Sequence, residues 1–516
     1  MAKFYVTTPI YYINDVPHIG HAYTTIAADV LARYYRRQGR DVFFLTGTDE
    51  HGAKIAEAAA QAGKSPQAFA DEMVVAFKEA WQLLHISYDY FIRTTDPRHE
   101  AAVRKFLQVL YDRGDIYKGL YEGLYCVGCE RFYSEDELTD GLCPLHLRPP
   151  VHYAEENYFF RLSKYQEVLL RALTTPTDPW HYRVEPPARY NEVLGKLRLG
   201  LSDISISRAT LTWGIPLPFD PTQTTYVWVD ALINYISAIG YGDDPATFQR
   251  YWPADLHLMA KDILWFHAVI WPALLIAAGL PTPRRIYAHG FFTVEGQKMS
   301  KSLGNVIRPA QLVERFGADA TRYLMLSEFP FGADGDISLE SFAKRYNADL
   351  ANDLGNLLNR VLSMVHRYCD GQVPAPGPEE EPDRALREAA TGLFPTLEHA
   401  FEALEFHVAL EAVRQVVAQA NRYVDATQPW VLARSDRVRL GTVLYTLLET
   451  LRLVAEALWP VMPSAAERMA AQLGVTLAPG GTWLASPPRW GGRRPGERVA
   501  AQPTPLFPRL EERARR

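Results

Sequence analysis

Two histidines three positions apart, His18 and His21, stand at the start of a predicted helix with Gly20 between them. The N-terminus of a helix carries unpaired N–H groups and a partial positive charge, and both favour anions. Gly20 removes a side chain where a flat base or a phosphate must approach closely. These features predict a triphosphate site without a Gly-rich P-loop. Two histidines that merely cap the helix are the alternative explanation of this short motif.

A second motif that could take part in a reaction is the segment KMSKS at 298–302, which contains Lys298 and Lys301. It follows a predicted hairpin over 291–297, whose turn is formed by Glu295 and Gly296. A flexible loop of this kind can carry ammonium groups onto phosphates and withdraw them again. An exposed loop with solvated charges is the alternative for this motif taken alone.

A third motif has the spacing of a metal site. Its potential ligands follow the pattern Cys126-x2-Cys129-x13-Cys143-x2-His146. Three thiolates and one imidazole in two paired turns are typical of a closed, tetrahedral structural Zn²⁺ site. The protein fills all four positions, so the pattern predicts a structural metal, with free thiols as the alternative.

Composition limits the kind of protein that carries these motifs. The chain has 516 residues, 48 % hydrophobic and 22 % charged, with a net charge of −6. It is an ordinary globular protein rather than a polycation that coats nucleic acid, so any RNA contact depends on a local basic patch. We find no secretory signal, and the most apolar stretch, 268–280, is shorter than the roughly 20 residues of a membrane span. We expect a cytoplasmic protein with no membrane partner.

The elements that must position these motifs alternate between strand and helix. Strands are predicted at 4–6 and 42–45 around a first helix, as in a right-handed crossover of a parallel sheet. The pattern breaks at 117–222, which contains the cysteines and many prolines. It then returns with strands predicted at 226–229, 257–260 and 286–289 and with helices at 231–239 and 262–279, and the sequence is helical from Tyr346 onward.

The first two motifs together, in a split α/β domain, resemble those of class I aminoacyl-tRNA synthetases. The segments TPIYYIN (8–14), GTDEHG (47–52), YVWVDA (226–231) and KDILWFH (261–267) are similar to those of the methionyl-tRNA synthetase family, in its form with a single zinc knuckle. The resemblance runs from about residue 3 to the end of the chain. It implies an ATP-dependent, AMP-forming ligase that makes methionyl-adenylate and pyrophosphate and then transfers methionine to the 3′-terminal adenosine of tRNA(Met), both initiator and elongator.

The resemblance also implies a fold and its division into units. The expected fold class is α/β, with a Rossmann-type doubly wound parallel sheet split by a zinc-binding insertion and followed by an α-helical bundle. The predicted units are the first half of the catalytic domain (1–116), a connective insertion with the zinc knuckle (117–222), the second half (223–290), a linker with the KMSKS motif (291–345), a helical anticodon-binding domain (346–478) and a Pro/Arg-rich tail (479–516). We favour a loosely packed tail over a strap across the body or an RNA contact.

Nine residues match the positions that hold methionine in this family: Ile10, Tyr12, Asp49, Trp228, Ala231, Tyr235, Ile263, Phe266 and His267. The resemblance implies that Asp49 holds the ammonium group and that Ile10 contributes backbone. Leu232 stands where relatives often have proline, which leaves the shape of the pocket there open. A thioether packs well against aromatic rings, although aromatic residues at helical spacing are more often plain core.

The expected chemistry needs no general base, because the methionine carboxylate is already ionised when it attacks the α-phosphorus of ATP. Positioning and positive charge must supply most of the catalysis. His18, His21, Lys298 and Lys301 are the predicted catalytic residues that contact phosphate, and Lys301 is assigned to the transition state. Gly20 and Asp262 complete the predicted ATP site, and Mg²⁺ would share the charge of pyrophosphate.

The zinc knuckle is expected to orient the insertion over the acceptor end of tRNA. The insertion is much smaller than the editing domain of the isoleucyl, valyl and leucyl enzymes, which argues against those specificities. Homocysteine is one methyl group short of methionine, and a difference of one carbon changes binding by only about 1–3 kcal/mol. Homocysteine is therefore the natural competitor, and we expect the site that makes the adenylate to remove it.

The anticodon is expected to contact Asn356 and Arg360, which share one helix face, and Trp430. A surface polar pair and a half-buried tryptophan are the alternative for these three residues. Because no C-terminal dimerising barrel follows, we expect a monomer. A cysteinyl-type synthetase and a synthetase-like RNA-binding protein without catalysis are the rival functions.

Overall fold

The structure, a computed structural model, describes residues 2–128, 131–133, 135–299, 304–477, 482–483 and 488–511. Within these ranges, no helix has both the length and the apolar character that crossing a membrane would require.

The first part of the chain alternates strands with helices, as predicted. Its elements are β1 (Lys3–Tyr12), α1 (Ile19–Arg37), β2 (Asp41–Asp49), α2 (Ala53–Gln61), α3 (Pro66–Leu83), β3 (Tyr90–Arg93) and α4 (Pro97–Asp112). The end of α1 has the predicted form, since Arg36 and Arg37 occupy its last turn and Gly39 follows with a left-handed φ of 75°.

The segment that interrupts this pattern contains two long strands, β4 and β6, and several short ones. Its elements are β4 (Ile116–Cys126), β5 (Arg131–Tyr133), β6 (Val151–Phe160), α5 (Gln166–Thr174), β7 (Arg183–Glu185), α6 (Pro187–Arg198), β8 (Ile204–Ser205), β9 (Ser207–Arg208) and β10 (Thr224–Thr225), with 3-10 turns at Glu135–Glu137 and Leu162–Tyr165. An antiparallel sheet in the order β5-β4-β6-β8 carries the knuckle at one end.

The α/β pattern then returns with α7 (Val227–Ser237), α8 (Pro245–Tyr251), β11 (Leu256–Ala260), a 3-10 turn (Lys261–Ile263), a π-helix (Phe266–Ile270), α9 (Trp271–Ala278) and β12 (Arg285–His289). The strand predicted at 226–229 is wrong, because Tyr226 precedes α7 and the next residues form its first turn. Nearly every residue of α7 is buried. A helix buried on all sides lacks the polar face that distinguishes it from a buried strand.

The main sheet has six parallel strands in the order β3-β2-β1-β11-β12-β7. Strand order reverses between β1 and β11, and in such sheets ligands bind beyond the carboxyl ends of the strands at this point. The edge strand β7 comes from within 117–222, so part of that range completes the main sheet. The expected doubly wound α/β fold is confirmed.

A small sheet carries the KMSKS segment. Its elements and the helices around it are β13 (Phe292–Val294), β14 (Gln297–Lys298), α10 (Pro309–Phe316), α11 (Ala318–Ser327), β15 (Gly335–Ile337) and α12 (Leu339–Arg345). The predicted hairpin is confirmed: β13 and β14 are antiparallel, and Glu295 and Gly296 have left-handed φ angles of 51° and 76°.

The helical region is also confirmed. It contains a π-helix (Tyr346–Gly355) and then α13 (Asn356–Cys369), α14 (Glu381–Thr391), α15 (Leu393–Glu402), α16 (Phe406–Thr427), α17 (Pro429–Ser435), α18 (Arg437–Leu458) and α19 (Pro463–Leu473).

The described part of the tail is a strap rather than the loosely packed segment that we favoured. The buried carboxylate of Glu449 in α18 accepts hydrogen bonds from the backbone N–H groups of Gly491, Gly492 and Arg493, at 2.6, 2.9 and 3.0 Å. Further along the strap, Leu506 and Phe507 are buried against the body. These contacts join residues that are far apart in sequence, so composition alone did not reveal them.

Candidate active site

The two histidines form a reciprocal cap at the start of α1, beyond the carboxyl end of β1. Nδ1 of His18 accepts a hydrogen bond from the Gly20 N–H at 3.0 Å, and Nδ1 of His21 accepts one from the His18 N–H at 3.2 Å. The imidazole rings stack with their centroids 3.8 Å apart. The N–H groups expected to bind phosphate are thus already used, since the Ile19 N–H also donates to the carbonyl of Ile307.

The two imidazoles are neutral rather than cationic. Burial lowers the pKa of His18 below its ordinary value, despite the opposing charge of Asp15. Burial and the neighbouring His18 hold the pKa of His21 well below its ordinary value. Because both Nδ1 atoms accept hydrogen bonds, the single proton of each neutral ring resides on Nε2. Each ring can therefore donate its Nε2–H to a phosphate oxygen, but positive charge must come from elsewhere.

The segment after the KMSKS motif meets the first turn of α1. The hydrogen bond from the Ile19 N–H to the Ile307 carbonyl, at 3.0 Å, joins them directly. Lys298 ends β14, and its carbonyl accepts a hydrogen bond from the side-chain amide of Asn305 at 3.1 Å. Lys301, the strongest candidate for the transition state, lies outside the described residues.

Asp262 lies between this basic segment and the end of β11. Desolvation by the surrounding protein raises the pKa of the Asp262 carboxyl, although the residue remains exposed at the surface. The nearby charges of Lys298 and Lys261 act in the opposite direction. Lys261 also forms an ion pair with Asp334 at 2.6 Å, which ties the end of β11 to the loop before β15. Among the described residues, the two histidines and Lys298, which are far apart in the sequence, therefore approach one edge of the sheet.

The predicted methionine residues come from five elements around the strand-order reversal. The register of β1 against β2 shifts between Thr7 and Ile10, and beyond this bulge Tyr12 pairs with Asp49. Trp228, Ala231 and Tyr235 share a face of α7 because they are three and seven positions apart. The remaining residues follow β11: Ile263 in the 3-10 turn, and Phe266 and His267 in the π-helix. Short π-helices are frequent at functional sites.

Aromatic rings and one buried hydrogen bond shape this pocket. The rings of Trp228 and Phe266 are stacked, with centroids 4.0 Å apart and 8° between their planes. The Tyr235 hydroxyl lies 2.7 Å from Nε2 of His267, and Nδ1 of His267 lies 3.0 Å from the Ile263 carbonyl. Burial lowers the pKa of His267 to about 4. The neutral ring therefore donates Nδ1–H to the Ile263 carbonyl and accepts at Nε2 from the Tyr235 hydroxyl, so both side chains already have hydrogen-bond partners within the protein.

A buried network around Asp230 was not found from the sequence. Its carboxylate oxygens lie 2.7 Å from Nδ1 of His51 and 2.7 Å from Nε2 of His99. Burial opposes the charges, yet the Asp230 carboxylate raises the pKa of His51 and is itself held at a lowered pKa. His51 follows Asp49 by two positions and Asp230 follows Trp228 by two. The sequence did contain one signal of this network, namely an aspartate inside the otherwise apolar run YVWVDA.

Comparison with known proteins decides the family. The family model described as "tRNA synthetases class I (M)" matches residues 4–149 and 136–362, and the model "Anticodon binding domain of methionyl tRNA ligase" matches 373–508. The chain belongs to the methionyl-tRNA synthetase family. The predicted family resemblance is thus confirmed, and the anticodon model covers much of the strap as well as α14 to α19.

Relatives in this family match nearly the whole chain. The methionine–tRNA ligase of Caldanaerobacter subterraneus is 48 % identical over 98 % of this chain and 79 % of that protein. That of Thermotoga maritima is 47 % identical over 99 % of this chain and 80 % of its own length. The structure is similar to Mycobacterium tuberculosis methionyl-tRNA synthetase in complex with methionyl-adenylate, with a TM-score of 0.94, 45 % identity and coverage of 99 % and 100 % of the two chains.

Three of the four predicted knuckle residues lie close together in this synthetase-family chain. The ligand atoms of Cys126, Cys143 and His146 all lie within 4.8 Å of one another, and Cys129 lies outside the described residues. A side-chain carbon added at Gly128 would be 2.7 Å from the His146 ring, so the turn is shaped closely around that ring. Burial opposes ionisation of Cys143, but hydrogen bonds from the Tyr133 hydroxyl and from nearby backbone lower the pKa of its thiol to about 6. This donor set fits Zn²⁺.

The three predicted anticodon residues lie on neighbouring helices of the bundle. Asn356 begins α13, and Arg360, one turn later, forms an ion pair at 2.8 Å with Asp425 near the end of α16. Five residues after Asp425 comes Trp430, in the first turn of α17 with 43 % of its surface exposed. An amide and a guanidinium on α13 and an exposed indole on α17 therefore belong to two helices that pack against each other.

Proposed function

We propose that this chain is a methionine–tRNA ligase that activates methionine with ATP and then charges tRNA(Met). The observation that carries the proposal is the direct hydrogen bond between Ile19 and Ile307, which joins the histidine turn to the segment after the KMSKS motif. This junction stands beside an aromatic pocket at the strand-order reversal. The family membership and the similarity to a methionyl-adenylate complex support the same function.

In the first step, a carboxylate oxygen of methionine forms a bond to the α-phosphorus while the bond from that phosphorus to pyrophosphate breaks. We assign the Nε2–H groups of His18 and His21 to hydrogen bonds with phosphate oxygens, with Gly20 leaving room for the nucleotide. Lys298 and Lys301 supply the positive charge that the neutral imidazoles lack. Fixed donors and charges stabilise the transition state without reorganisation.

Asp262 completes the proposed ATP site by accepting a hydrogen bond from the ribose. Among the described residues, the knuckle is the only cluster of three or more potential metal ligands. We therefore propose that Mg²⁺ enters with the phosphates of ATP, as part of the substrate. When bound, it supplies further positive charge to the departing pyrophosphate.

The proposed methionine site uses the buried carboxylate of Asp49 for the α-ammonium group and the backbone near Ile10 for its orientation. The side chain would contact the residues of the aromatic pocket: Tyr12, Trp228, Ala231, Tyr235, Ile263, Phe266 and His267. Because Tyr235 donates to His267, selectivity for the thioether comes from shape and polarizable contact rather than from a hydrogen bond to sulfur.

In the second step, a hydroxyl of the terminal adenosine of tRNA attacks the methionyl carbonyl, and AMP leaves. We propose that Asn356, Arg360 and Trp430 contact the anticodon of both initiator and elongator tRNA(Met). Four ligands, Cys126, Cys129, Cys143 and His146, would hold one structural Zn²⁺ that keeps the insertion in shape over the acceptor end. We further propose a cytoplasmic monomer, because tRNA charging occurs in that compartment and one chain contains both sites.

The deciding experiment is ATP–pyrophosphate exchange measured with each of the twenty amino acids. We expect exchange with methionine, and weaker exchange with homocysteine accompanied by release of homocysteine thiolactone. Exchange that depends on cysteine would support the cysteinyl-type alternative. If no amino acid supports exchange while tRNA still binds, the chain is an RNA-binding protein and the proposal is wrong.

A further inference from the structure

Arg322 in α11 is a fully buried arginine that lies outside the site described above, with 0 % of its surface exposed. Its Nε donates to the Val461 carbonyl at 2.6 Å, and its Nη2 donates to the Pro460 carbonyl at 3.0 Å. Its Nη1 donates to the Leu84 carbonyl at 3.1 Å. The Leu84 carbonyl follows the C-terminus of α3, and the carbonyls of Pro460 and Val461 follow the C-terminus of α18. A positive charge is favoured at such helix ends.

The anionic partner of Arg322 is Asp29, which is equally buried in α1. Asp29 Oδ2 lies 2.7 Å from Nη2 of Arg322 and 2.7 Å from Nε of Arg33. Its other oxygen accepts hydrogen bonds from the N–H and the hydroxyl of Ser87, both at 2.6 Å. Burial disfavours the charge, but Arg322 and Arg33 lower the pKa of Asp29 to about 2, so the pair is ionised at neutral pH.

These contacts join parts of the chain with different roles. Asp29 belongs to the helix whose first turn contains His18 and His21, and Leu84 follows α3. Pro460 and Val461 form the turn between α18 and α19 of the helical bundle. A second bond in the same region joins α11 to α19, from the Ala465 N–H to the carboxylate of Asp319. In the bundle, α18 packs against α17, the helix whose first turn contains Trp430.

A buried ion pair adds little net stability compared with apolar packing of the same volume, because desolvation offsets the attraction. The planar guanidinium, however, holds its partners in one geometry. We propose that Arg322 is a positioning residue that fixes the helical bundle relative to α1, so that a tRNA held at the bundle presents its acceptor end to the active site. This inference rests on the proposed function, because it needs a tRNA that contacts both parts.

The test uses Arg322→Lys, which keeps the charge toward Asp29 but cannot span the three carbonyls. We expect ATP–pyrophosphate exchange to stay within about twofold of the unmodified protein, while kcat/KM for tRNA aminoacylation falls by at least about fivefold. Arg452→Lys is the matched control. Arg452 is also a largely buried arginine with a buried carboxylate partner, Glu449 at 2.9 Å, but both residues belong to α18. We expect this control to change both activities equally.

A double substitution separates this inference from the anticodon assignment. If Arg322 couples the two sites, Trp430→Ala reduces aminoacylation less in the Arg322→Lys background than in the unmodified protein. Additive effects, or equal losses of exchange and aminoacylation in Arg322→Lys, would overturn the inference. If Trp430→Ala alone has no effect, the anticodon assignment fails, and the ratio of the two activities in Arg322→Lys still decides the inference. Should Arg322→Lys not fold, Asp29→Asn breaks the same pair with little change in shape and is judged by the same ratio.

Discussion

Gly20 lies against the imidazole ring of His18 so closely that a side-chain carbon at Gly20 would be 2.9 Å from Cε1 of His18. We therefore expect Gly20→Ala to displace the ring and to reduce ATP–pyrophosphate exchange about 10- to 100-fold, because catalysis by positioning is sensitive to small displacements. Thermal stability should change little, since alanine favours a helix. Gly195→Ala in α6, where an added carbon meets nothing within 4 Å, is the control. Equal activities of the two variants would contradict this role of Gly20.

Tyr235→Phe removes the hydroxyl that donates to His267 and leaves a buried acceptor without its partner. We expect KM for methionine to rise about 5- to 150-fold, in line with the roughly 1–3 kcal/mol cost of such a loss. KM for ATP should be unchanged. The comparison variant is Tyr445→Phe, whose buried hydroxyl donates to the Arg493 carbonyl in the bundle at 3.1 Å. If both substitutions changed KM for methionine alike, the effect would be one of stability.

Stability should decrease on acidification because of buried histidines. Burial lowers the pKa of His267 and of His289 to about 4, from the ordinary value of 6.5. Between pH 6.5 and pH 4 the unfolded chain therefore binds protons that the folded chain does not bind. The free energy of unfolding keeps its full value above pH 6.5 and decreases as the pH falls toward 4. Each histidine contributes about 3 kcal/mol to this loss. Urea unfolding at several pH values should show a shallower dependence for His289→Gln; an unchanged slope would show that His289 is not responsible.

Removal of the proposed Zn²⁺ should loosen the knuckle without changing the aromatic pocket directly. We expect one zinc per chain by elemental analysis, and a lower content with a lower melting temperature for Cys143→Ser. Aminoacylation should fall more than exchange, because the insertion is assigned to the acceptor end of tRNA. Cys369→Ser, in α13 and away from the cluster, should keep the full zinc content. An unmodified chain purified without zinc, and unaffected by a chelator, would contradict the metal assignment.

Trp430→Ala should reduce aminoacylation and spare exchange, because the exposed indole is assigned to stacking on an anticodon base. Base stacking on an aromatic side chain contributes about 1–3 kcal/mol, or about 5- to 150-fold in kcat/KM for tRNA. Leu199→Ala, at a residue 88 % exposed outside the bundle, controls for loss of an exposed apolar side chain. Parallel loss of both activities in Trp430→Ala would indicate a role in folding instead.

The sequence by itself determined the features that depend on neighbouring residues. The histidine turn, the knuckle spacing, the hairpin at Glu295 and Gly296, and the end of α1 at Gly39 are local, so residue types and spacing suffice to predict them. The family followed from several such motifs in order. These motifs also identified the residues of the aromatic pocket, even though the strand predicted at 226–229 was wrong.

Only the tertiary structure decided the features that depend on burial and on distant partners. The imidazoles of His18 and His21 are neutral because folding partly buries them and lowers their pKa, which composition cannot reveal. The short strand β7 forms only by pairing with β12, and the strap is held by the carboxylate of Glu449. The buried contacts of Asp29 with Arg322 and of Asp230 with His51 likewise join residues far apart in the chain. Folding removes water from such groups and brings them together. Their protonation states and their interaction partners are therefore decided only in the folded chain.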